Sequence, residues 1–143
     1  MKNVFNSLNQ TYYFIYTLII LMAISGYLLN LNNIITVNIS HSVTITLLII
    51  HGVLAFLAVA YYLYFLILKN KIKLIANIHD REKTYLKAGK IRLALIGISL
   101  FFGVICLFIV RAEIPLYFIA ISGILLLICK PVETKIEELL SDN

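Results

Sequence analysis

Residues 47–64, LLIIHGVLAFLAVAYYLY, are hydrocarbon and aromatic throughout except for His51, which precedes Gly52. A neutral imidazole carries one N–H donor and one acceptor nitrogen. In an apolar setting it can ligate haem iron, hydrogen-bond a quinone carbonyl or a water on a proton path, or bond a hydroxyl or carbonyl of a neighbouring helix. Left without any partner, such a group costs on the order of a few kcal/mol, so its presence asks for a use. A thioether is a known haem ligand, and Met22 is the candidate for the second axial position. His41 and His79 stand at the two surfaces that bound the apolar runs.

Other chemistries have less to work with. The carboxylates Asp80, Glu82, Glu113, Glu133, Glu137, Glu138 and Asp142 all fall outside the apolar runs. An acid within the membrane, the usual element of a cation or proton pathway, is therefore missing from this chain. The sequence holds no GxSxG, HExxH or P-loop pattern, so hydrolysis and nucleotide binding have no motif to rest on. Cys106 and Cys129 lack the CxxC spacing of a metal site and belong to opposite ends of their spans, which separates them by most of a membrane. Tyr61, Tyr62 and Tyr64 suit an interfacial anchor, and a quinone site is their alternative use.

The elements that position these residues follow from composition. Hydrophobic residues make up 62% of the 143 and charged residues 13%, with a mean hydropathy of +0.98, which is the composition of a membrane protein. Four apolar runs reach spanning length, at about 11–31, 42–68, 91–110 and 114–130, since a helix needs roughly 20 residues to cross the hydrocarbon. The first imitates a signal peptide, with Lys2 before it and small residues at 23–25, but its apolar character continues through YLLNL, which predicts an uncleaved helix. Only RAEI separates the last two runs, with Pro115 in the first turn of the fourth, so they form a tight helical hairpin.

Each span carries small residues that let helices approach: Ala23 and Gly26, then Gly52, Ala55 and Ala58, then Ala94, Gly97 and Gly103, then Ala120 and Gly123. The predicted fold is all-α, a single transmembrane domain over residues 1–143, in the form of an antiparallel four-helix bundle.

Lys and Arg set its orientation. Eight of the twelve fall in segment 69–92, whereas the linker LNNIITVNIS has no charge. The basic segment is therefore cytoplasmic, and with four spans both termini are cytoplasmic as well, N-in and C-in. The same localisation explains the net charge of +5 without nucleic acid. Segment 69–92 is either a short amphipathic helix on the inner surface or a solvated basic loop. The tail VETKIEELLSDN places Val132, Ile136, Leu139 and Leu140 on one face, to dock on a partner or to continue the fourth helix. Counted from Ser42, His51 lies about 13 Å into its span at ~1.5 Å per residue, and Met22 about 16 Å into the first span from the other side, so the two share a level near mid-membrane.

The first two spans, with ISGYLL at 24–29 and HGVLAFLAVAYYLYFLIL from 51, resemble the first half of the di-haem cytochrome b membrane subunits of formate dehydrogenases and hydrogenases. That resemblance implies a helix with two haem-ligating histidines roughly thirteen or fourteen residues apart, nearly four turns. The first matches His51, while the second position falls on Tyr64 or Phe65. The resemblance thus implies at most one haem b within a copy of the chain, bound by His51 with Met22, a water or an imidazole of another subunit opposite, or else a quinone site.

Four spans, small external loops and almost no polar residues inside predict an accessory integral-membrane subunit of a respiratory or other electron-transfer complex, non-catalytic alone. Its partners are the lipid bilayer and other integral membrane subunits, in a prokaryotic cell membrane. The competing expectations are a b-type cytochrome with His51 as ligand, and a small transporter or assembly factor.

Overall fold

The computed structural model describes residues 2–32 and 39–140. Five helices account for nearly all of them: α1 (Lys2–Leu31), α2 (His41–Lys73), α3 (Ile78–Val110), α4 (Ile114–Ile128) and α5 (Glu133–Leu140). No strand occurs among the described residues. Helices α1, α2 and α3 are long and apolar enough to cross a membrane, and α4 with α5 forms a fourth candidate, bent by 65°. The architecture is compatible with a membrane helical bundle. Most of the uncharged linker lies outside the described residues.

The two prolines of the chain mark boundaries. Pro115 sits in the first turn of α4, where a missing N–H has no helical acceptor to lose. Pro131 stands between α4 and α5, where the same missing donor stops the ladder and permits the bend. Hydroxyls on the long helices turn back on their own backbone: Thr11 donates to the Ser7 carbonyl at 2.9 Å, Ser25 to Leu21 at 2.7 Å and Thr46 to Ser42 at 2.9 Å. A lipid-facing hydroxyl is thereby satisfied without water.

The helices extend past the predicted spans. Segment 69–92 is neither an open loop nor a separate surface helix. Residues through Lys73 continue α2, α3 starts at Ile78, and a four-residue connection joins them. Lys, Glu, Leu and Ala are good helix formers, so both helices run into the segment from either side of that connection. Asn77 then caps α3, its side chain accepting from the His79 N–H at 3.0 Å, with Asp80 in the favourable first turn. Likewise α1 begins well before residue 11, because Val4, Leu8 and Tyr12 lie one turn apart and are buried together.

Helix α3 lies at the centre, packed against α1, α2 and α4, while the backbones of α1 and α2 stay more than 8 Å apart. Glycines set the close approaches. Gly89 faces Leu8, Gly97 faces Ile15 and Gly26 faces Phe108, which joins α1 to α3 along their length. On the other side, Leu47, His51 and Phe65 of α2 meet Cys106, Gly103 and Arg92 of α3. The tail face finds its partner within the chain: Ile136, Leu139 and Leu140 are buried in the core, and Val132 stays exposed ahead of α5.

Candidate functional site

His51 is completely buried where α2, α3 and α4 converge. Its ring lies in the gap left by Gly103, where a Cβ would come within 2.7 Å of both Cε1 and Nε2. Two aromatic rings meet it edge-on, Phe118 with centroids 5.2 Å apart and Phe102 at 6.2 Å. Neither ring nitrogen makes a hydrogen bond within normal geometry, although the Ser99 carbonyl interacts with the ring. That carbonyl belongs to the residue one turn before Gly103, so the missing side chain leaves it uncovered toward α2.

One turn along α3 from Gly103, the hydroxyls of Ser99 and Ser122 lie 2.8 Å apart, both fully buried, and join α3 to α4. The Cys106 thiol points at the Leu47 carbonyl of α2 at 4.0 Å. Together with His51 these groups form a polar seam across the middle of the bundle, each facing another helix rather than lipid. Cys106 and Cys129 are free and buried.

Met22 is elsewhere. It lines an apolar furrow between α1 and α3 with Gly26, Val104 and Phe108, and the α1 backbone stays more than 8 Å from that of α2. The shared depth read from the sequence is thus not a shared site, because α3 stands between the helices that carry His51 and Met22. The Nε2 edge of the His51 ring lies 2.7 Å from where a Cβ on Gly103 would sit, so that edge is turned against the α3 backbone. Among the described residues no group of three or more His, Cys, Asp and Glu side chains could hold a metal ion.

The chain matches no protein-family model, no curated protein and no solved structure.

Two arginines are hidden in the sequence within a run of like charges. Arg92 is buried, with its guanidinium carbon 4.0 Å from the centre of the Phe65 ring. Arg81 is buried too, and clamps two elements: its Nε and Nη2 donate to the Ile75 carbonyl at 3.0 and 2.7 Å, and its Nη1 to the Leu140 carbonyl at 3.2 Å. Their spacing carried a signal, since Arg81, Tyr85, Ala88 and Arg92 recur at three or four residues on the buried side of α3. The tyrosines divide: Tyr62 lines a basic cavity with Arg92 and Lys69, while Tyr61 and Tyr64 border a shallow apolar groove.

Proposed function

We propose that the chain is an accessory integral-membrane subunit of a larger membrane assembly, a respiratory or other electron-transfer complex, and packs against the catalytic subunits without carrying chemistry itself. The observation that carries this reading is the one-sided attachment of α1. This helix is held by α3 and α5, buries only Val4, Leu8 and Tyr12, and leaves Phe14, Leu21, Ile24, Tyr27 and Leu28 exposed. Apolar furrows of about 350 and 360 Å³ run beside it along α3. Helices in lipid associate through close packing, so open furrows beside a sparsely held helix offer seats for side chains of a neighbouring subunit.

The remainder of the reading has its own supports. An antiparallel bundle is favoured by the opposite chain order in which α2 and α3 residues meet, and cytoplasmic termini by the eight basic residues at 69–92. The link to electron transfer comes from the resemblance of residues 24–29 and 51–68 to cytochrome b subunits and is an analogy. A prokaryotic cell membrane as the location, and the absence of a nucleic-acid partner, belong to the same proposal.

Gentle solubilisation of native membranes followed by native electrophoresis tests it. Co-migration with other integral subunits is expected; migration at the monomer mass of 16.3 kDa overturns the proposal. A reduced-minus-oxidised spectrum of the purified chain addresses the cytochrome alternative. An α-band that disappears in His51→Ala would replace the accessory reading with that of a redox carrier.

A further inference from the structure

A cavity of about 400 Å³ opens where α2, α3 and the bend between α4 and α5 come together. Four cations line it: Lys69 of α2, Arg92 of α3, Lys130 just past α4 and Lys135 of α5. No carboxylate is among the described residues of its wall. Arg92, Lys135 and Lys73 all repel the Lys69 ammonium, so folding concentrates positive charge that the cavity wall leaves unbalanced.

Arg92 is more than nine-tenths buried, and its Nε has no hydrogen-bond partner. The Phe65 ring lies under this guanidinium and also faces the Lys69 ammonium at 5.7 Å, which holds the two cations about one aromatic face. A buried arginine is stable when an anion meets its fork of donors, and the described residues of the lining offer none.

The level of the cavity says what that anion is attached to. Lys69 immediately follows the second apolar run, Arg92 is the second residue of the third, and Lys130 ends the fourth. Three span ends thus bring cations to one membrane edge, the depth of lipid phosphates. The wall also includes Leu66 and Leu127, both exposed to the apolar exterior. A ligand with an anionic head and a hydrocarbon tail satisfies both parts.

We propose that this cavity binds the phosphate of an anionic phospholipid, with Arg92, Lys69, Lys130 and Lys135 receiving the phosphate oxygens and Leu66 and Leu127 flanking the first acyl carbons. Tyr62 and Tyr85 also line the cavity and add hydroxyl donors. The assignment rests on the helices being membrane-embedded and is independent of any protein partner.

The test is native mass spectrometry of the full-length chain in mild detergent, stripped of lipid and offered phosphatidylglycerol, phosphatidylcholine or inorganic phosphate. Phosphatidylglycerol is expected to be retained about tenfold better than phosphatidylcholine, and Arg92→Gln to lower that preference by roughly fivefold or more. The double variant Lys69→Gln with Lys135→Gln gives the same loss and serves if Arg92→Gln fails to fold. Lys83→Gln, on an exposed face of α3 away from the cavity, leaves the preference intact. Equal retention of the two lipids, or an equal loss in Lys83→Gln, overturns the site. Inorganic phosphate that fully displaces phosphatidylglycerol overturns the lipid assignment in favour of a free-phosphate site.

Discussion

The His51 imidazole occupies the space that a side chain at position 103 would need, with Nε2 2.7 Å from where a Cβ on Gly103 would sit. The ring has little freedom to retreat, because Phe102 and Phe118 meet it edge-on and Ile119 closes the same gap at 2.7 Å. Gly103→Ala is therefore expected to destabilise the bundle by about 1–3 kcal/mol through overpacking. Truncating the ring should relieve that strain, so His51→Ala combined with Gly103→Ala is expected to be more stable than the two single effects predict, by about 0.5–3 kcal/mol. Detergent-induced unfolding followed by circular dichroism measures all four species. Strict additivity would show that the two positions do not oppose each other. Gly123→Ala is the contrast, since nothing lies within 4 Å of its added Cβ, and helix propensity favours Ala there by up to about 1 kcal/mol.

Ser99 and Ser122 form a direct hydroxyl bridge between α3 and α4. Its loss in Ser99→Ala is expected to cost about 0.5–2 kcal/mol, the range for interhelical hydrogen bonds in membranes. The low end is favoured because the freed Ser122 hydroxyl can bond the carbonyl one turn back on its own helix. Once Ser99→Ala has been made, Ser122→Ala should cost almost nothing more. A double-mutant cycle with no coupling would remove the bridge from the account.

Much of this architecture is legible in the sequence, and the misses have two physical causes. Hydropathy gives the apolar runs, and counting residues along a run gives depth, which puts His51 and Met22 at one level. Depth says nothing about azimuth. Met22 turns toward an α1–α3 furrow, and α3 separates it from His51. The small-residue stripe that included Gly103 correctly signalled close approach, yet only the folded chain shows that its occupant is the His51 ring. The run 69–92 failed differently: its charge density reads as solvated surface, while within it Arg81 and Arg92 are buried against Ile75, Leu140 and Phe65. A run of like charges hides its buried members, because the helical period is carried by the apolar neighbours Tyr85 and Ala88 rather than by the charges.

Arg81 ties the tail to the connection between α2 and α3, giving two N–H groups to Ile75 and one to Leu140. Hydrogen bonds from a charged donor are worth about 1.5–3 kcal/mol each. Arg81→Ala is expected to cost at least one such bond and to free α5 from the core. Hydrogen exchange should then accelerate across 133–140 while the middle of α3 stays protected. Arg81→Lys, with a single ammonium in place of the planar fork, should fall between the two. Unchanged exchange in α5 would mean that Ile136, Leu139 and Leu140 hold it without the arginine.

The burial of both native cysteines makes orientation measurable. Cys106 and Cys129 are almost wholly enclosed, so a membrane-impermeant maleimide is expected to react slowly with the folded wild-type chain. Single introduced cysteines then report their own side. Glu113→Cys, in the short turn between α3 and α4, should label in intact cells. Lys83→Cys, exposed near the start of α3, should label only after permeabilisation. The two positions lie at opposite ends of the one apolar helix α3, thirty residues apart in sequence, about 45 Å at ~1.5 Å per residue, which exceeds the hydrocarbon thickness of ~30 Å. The opposite labelling pattern would invert the bundle and contradict the positive-inside assignment. Labelling of both from the outside would mean that α3 does not cross the membrane.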